Sequence, residues 1–77
     1  MPQDIKANKN MGANIKKARI AAGLTQEQLA AKMQTAGCDI SRGTLAKIEA
    51  GIRHVSLEEL RTIKAILKVE FDDLLDS

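Results

Sequence analysis

Apolar residues recur in this chain every three or four positions, in short blocks separated by glycines and by Ser or Thr residues suited to capping a helix. Ile15, Ala18, Arg19 and Ala22 share one helical face and run into Gly23. Leu29 and Met33 lie one turn apart behind Thr25, with Ala30 beside them and Gly37 in the break that follows. Leu45 and Ile48 lie between Ser41 and Gly51, and Leu57, Leu60, Ile63 and Leu67 follow Ser56. Phe71, Leu74 and Leu75 close the series. Thr25 with Gln28, and Ser56 with Glu59, have the spacing of a capping box, in which each partner satisfies the other's free backbone N–H. Lys64 and Lys68 fall in the last turns of their block, where cations complement the helix dipole. The pattern predicts an all-α fold, a compact bundle of five helices over about 11–22, 25–35, 41–50, 57–68 and 71–76. No segment alternates with period two, so no strand is expected.

Seventy-seven residues suffice for one domain. Phe71 is the only aromatic residue, so the core must be built from Leu, Ile, Val, Met and Ala. Residues 1–10, with Lys6 and Lys9, read as a flexible basic arm ahead of a domain over 11–77. Cys38 is the only cysteine, which excludes an internal disulfide. The first residues lack the apolar run of a signal peptide, and nothing approaches a membrane span, so a cytoplasmic protein is expected.

The net charge of +2 is unevenly spread. Residues 1–55 carry nine Lys/Arg against four acids, and residues 56–77 carry three against six. A basic front of this kind suits a polyanion. The helices expected at 25–35 and 41–50, joined by a polar link, have the layout of a helix-turn-helix. Leu45 and Ile48 point inward, while Arg42, Gly43, Ala46, Lys47 and Ala50 share the other side. Small residues between two long cations give a slim basic profile, as a helix entering a major groove about 12 Å wide requires.

Several runs carry a resemblance: Ile15-Lys16-Lys17-Ala18-Arg19, Gly23-Leu24-Thr25-Gln26-Glu27-Gln28-Leu29-Ala30, and Ile40-Ser41-Arg42-Gly43-Thr44-Leu45-Ala46-Lys47-Ile48-Glu49-Ala50-Gly51. Ser56-Leu57-Glu58-Glu59-Leu60 and Leu67-Lys68-Val69-Glu70-Phe71-Asp72-Asp73-Leu74 continue it. In this order and spacing, over about residues 11–76, the chain resembles the phage-repressor (lambda-repressor-like, Cro/XRE) helix-turn-helix family. The resemblance implies a five-helix DNA-binding domain acting as a transcriptional regulator, most often a repressor and a homodimer, on double-stranded DNA. It implies that Arg42, Gly43 and Lys47 occupy base-reading positions. Gln26, Ser41, Thr44 and Arg53 would contact phosphate, and Arg19 and Glu49 would pair between the first and third helices. Two features depart from the family pattern. Gln34 through Ile40 add about five residues between the last core residue of the second helix and the recognition helix, so either that helix or the turn is longer. Gly43 gives a base-reading position no side chain.

The remaining polar residues point to no second chemistry. His54 is alone beside a cap, Cys38 has no partner, and Glu70, Asp72, Asp73 and Asp76 cap and solubilise the last helix. There is no nucleophile with a histidine base, no phosphate-cradling glycine loop and no metal-ligand spacing, so neither an enzyme, a metal site nor a cofactor is expected. The alternative is a protein-interaction module of the same fold, an antitoxin or anti-repressor. A docking face of that kind favours aromatic or large aliphatic anchors, and the outer face over 42–50 carries Arg, Lys, Gly and Ala. Phe71, Leu74 and Leu75 offer a candidate dimer contact.

Overall fold

A computed structural model describes residues 4–5 and 9–75. Five helices follow the predicted order: α1 (Lys9–Ala21), α2 (Gln26–Thr35), α3 (Arg42–Glu49), α4 (Leu57–Leu67) and α5 (Phe71–Leu75). The capping signals act as their spacing requires. Thr25 Oγ1 accepts from Gln28 N–H at 3.0 Å, and the Gln28 side chain accepts from Thr25 N–H at 2.9 Å. Ser56 and Glu59 form the same reciprocal pair at the start of α4.

The stops are equally local. After α3, Gly51 takes φ +75°, and Ile52 N–H reaches back to Lys47 C=O at 2.9 Å. The left-handed turn satisfies carbonyls that the helix end leaves free. The end of α4 uses the same turn with Lys68 at φ +57°, a position where a Cβ is disfavoured.

One expectation fails. Asp4–Ile5 (β1) and Val55–Ser56 (β2) pair as a two-residue antiparallel ladder, Asp4 opposite Ser56 and Ile5 opposite Val55. Strands this short show no period-two signal, and their pairing spans fifty positions of chain. Of the stretch expected as an arm, β1 and the first residues of α1 are described; Lys6 lies outside the described residues, as does Asp76 at the end of the last helix.

The core is aliphatic. Ile15 from α1, Leu29 and Met33 from α2, Leu45 and Ile48 from α3, Leu60 and Ile63 from α4 and Leu74 from α5 are fully buried, with Val55 from β2. Phe71 is half-buried against this cluster, and the Lys64 ammonium lies over its ring at 5.2 Å. Leu74 is fully buried and Leu75 is exposed, so most of the apolar surface of α5 serves the core. Helix α1 packs on α3, α4 and α5, while α2 packs on α3 and α4. Among the described residues, no helix is long and apolar enough to cross a membrane.

Candidate nucleic-acid interface

The extra residues before α3 divide between helix and turn. Gln34 and Thr35 extend α2, and residues 36–41 form the link. Gly37, at φ +91°, turns the chain, and Cys38 N–H returns to Met33 C=O at 2.9 Å. The Gln34 amide donates to Ile40 C=O at 2.6 Å, and the Ile40 side chain is buried in the core. The link is thus strapped at both ends and contributes a core residue of its own. Cys38 is half-buried within it. Burial, reinforced by the nearby Glu59 carboxylate, raises its thiol pKa above the ordinary value, which favours the protonated form.

Ser41 caps α3, its hydroxyl accepting from Thr44 N–H at 3.1 Å and donating to Thr44 Oγ1 at 3.0 Å. Both hydroxyls are therefore tied locally in the free protein. Leu45 and Ile48 face the core, as the apolar spacing requires, and so does Glu49. Arg42, Gly43, Lys47 and Ala50 are exposed, and Thr44 and Ala46 are half-exposed. Among the described residues, neither Arg42 nor Lys47 has a hydrogen bond or ion pair assigned to its side chain. Gly43 has open space where a side chain would stand; a Cβ there would meet only the Ser41 hydroxyl, at 3.9 Å.

The inner side of α3 is closed. Arg19 Nε donates to Glu49 Oε2 at 2.8 Å and its Nη2 to Oε1 at 3.1 Å, a two-pronged pair with side chains 9% and 2% exposed. Arg19 Nη1 donates to Leu24 C=O at 2.8 Å, closing the turn between α1 and α2. The same Glu49 Oε1 also accepts from the Gln26 amide at 3.0 Å. Sequence reasoning identifies the arginine–glutamate pair but misses this third member, because spacing alone does not tell which way the first side chain of α2 turns. Gly12 of α1 lies directly over the end of α3; a Cβ there would collide with the Glu49 carbonyl oxygen.

Arg53, just beyond α3, is held differently. Its guanidinium donates to both Glu59 oxygens, at 3.0 and 3.2 Å, and to His54 C=O at 2.7 Å. Burial pushes the Glu59 carboxyl up, but hydrogen bonds from Arg53 and Ser56, with the positive charge of Arg53, outweigh it and lower the pKa. Arg53 keeps 40% of its side chain exposed.

A capped helix with two uncommitted cations on its outer face, braced from behind by α2 and separated from it by a strapped link, defines a helix-turn-helix DNA-binding domain. The chain matches the helix-turn-helix family over residues 15–74. It is also 35% identical over 66 residues, 84% of this chain and 75% of the relative, to control protein C.BamHI of Bacillus amyloliquefaciens. It belongs to the Cro/XRE-type helix-turn-helix family, and is a DNA-binding transcriptional regulator and not an enzyme.

Proposed function

We propose that the protein binds duplex DNA sequence-specifically, with α3 in the major groove, and represses transcription as a homodimer on a two-fold-symmetric site. The observation that carries this reading is the division of α3, with a saturated buried side and an exposed side whose two cations have no partner assigned. Arg42, in the first turn of α3, has the planar pair of donors that matches guanine O6 and N7, and Lys47 lies on the same exposed side. Gly43 carries no side chain at a position where nothing in the fold would obstruct one, which allows the helix backbone to approach the base edges.

Phosphates are assigned to Gln26, Ser41, Thr44 and Arg53. The hydroxyls of Ser41 and Thr44 sit at the start of α3, where free backbone N–H groups favour anions. Arg53 would exchange Glu59 for phosphate, a swap aided by its exposure. Dimerisation would use the exposed remainder of α5, including Leu75.

Selection from a random duplex pool tests the reading, followed by affinity measurements across salt concentrations. A palindromic motif is expected, with log affinity falling by about 0.9 per neutralised phosphate for each unit of log salt. Arg42→Ala should cost about 1–3 kcal/mol on the selected site and relax preference at one base pair per half-site. A flat salt titration, or equal weakening of every sequence by Arg42→Ala, refutes base reading by this residue.

A further inference from the structure

Glutamine is an ambiguous ligand. Its amide carries an acceptor and a donor group of similar shape, and a freely rotating amide presents either one. Gln26 opens α2 and is half-exposed, with one N–H bound to Glu49 Oε1 at 3.0 Å. That oxygen belongs to a carboxylate 2% exposed and fixed by two bonds from Arg19. A carboxylate only accepts. It therefore selects the nitrogen side of the amide and turns the carbonyl oxygen away. Because the two N–H bonds of an amide diverge, the second donor points away from Glu49.

We infer that Glu49, beyond pairing with Arg19, is a positioning residue for DNA: it locks Gln26 as an oriented donor whose remaining N–H takes a backbone phosphate oxygen. This rests on the DNA-binding reading above. Arg19 completes the arrangement by neutralising Glu49, which would otherwise set a bare negative charge one side chain away from the phosphate. The buried pair that joins α1 to α3 thus also prepares the start of α2, so that Gln26 loses little rotational freedom on binding.

A mutant cycle on the full chain tests this. Affinity for the selected duplex is measured for the wild type, Gln26→Ala, the apolar double variant Arg19→Met/Glu49→Leu, and the triple variant. Gln26→Ala should weaken the wild type roughly tenfold, equivalent to about 1.4 kcal/mol, a value expected of a hydrogen bond to a charged group. In the apolar background the same substitution should cost twofold or less. An equal loss in both backgrounds overturns the inference. So does a silent Gln26→Ala, which leaves base reading intact provided that Arg42→Ala still relaxes the preference. If the wild type binds no duplex, the functional reading fails first and takes the inference with it.

Nuclear magnetic resonance of the Gln26 side-chain amide in the wild type keeps the test independent of whether the double variant folds. One amide proton should be shifted downfield in the free protein, and the other should move when duplex is added. Two free-glutamine resonances, or movement of the Glu49-bound proton alone, overturn it.

Discussion

The two sides of α3 spend their polar groups in opposite ways. Glu49 on the inner side accepts three hydrogen bonds from Arg19 and Gln26, and Gly12 is pressed against its carbonyl. On the outer side, Arg42 and Lys47 face water beside Gly43, where a side chain has room to stand. A buried charge is tolerable only when paired, so the inner side is constrained by folding. Exposed long cations contribute little to stability, so the outer side is constrained by whatever it touches. One helix thereby separates residues that hold the domain together from residues the fold leaves uncommitted, and substitutions on the two sides should have different signatures.

The largest effect is expected at the inner pair. Arg19→Ala should destabilise by about 3 kcal/mol, because Glu49 remains buried without its main partner. Thermal or urea unfolding measures this, and the matched apolar pair Arg19→Met/Glu49→Leu should recover part of the loss. A melting temperature equal to the wild type's would erase the distinction between the two sides.

Gly12→Ala comes next, at about 1–3 kcal/mol, since its Cβ meets backbone and not a movable side chain. Gly43→Ala should do the reverse. It replaces a glycine in the first turn of α3 without a clash, so the fold should gain about 0.5 kcal/mol or less while affinity for the selected duplex falls. A stabilised variant that binds DNA as well as the wild type would show that the outer glycine has no role in docking.

The smallest effect belongs to the half-exposed pair of Arg53 and Glu59. The folded-state pKa of Glu59 lies below its ordinary 4.5, so its contribution is present above that value and lost as pH falls through the lower folded pKa. Glu59→Gln should flatten the acid limb of the stability curve there and change stability at neutral pH by about 1 kcal/mol or less. An unchanged acid limb would place the pair's stabilisation elsewhere.

Legibility in the sequence follows distance along the chain. The boxes at Thr25–Gln28 and Ser56–Glu59 span three residues and were readable, as were the helices they start. The Arg19–Glu49 pair spans thirty positions and is expected from family resemblance and from the place of Arg19 on an apolar helix face; in the structure the two side chains meet at 2.8 Å. Three features had no local signal: the pairing of β1 with β2, the turn of Gln26 toward Glu49, and the close approach at Gly12. Each depends on two elements being brought together by the core. The position of Arg53 resembles that of phosphate-contacting loop residues, and Glu59 has the spacing of a cap; Glu59 caps α4 and also pairs with Arg53, which spacing alone does not signal.

The strapped link between α2 and α3 has a consequence for engineering. Because Ile40 is seated in the core and Gln34 holds its carbonyl, the start of α3 is anchored from within the link itself. Residues 36–38 are bound back to α2, Gly37 N–H to Gln34 C=O and Cys38 N–H to Met33 C=O, which leaves Asp39 as the exposed residue between the two straps. Residues added beside Asp39 should bulge outward and leave α3 in place, whereas replacing Ile40 with a polar residue should unseat α3 without altering a single residue on its outer face.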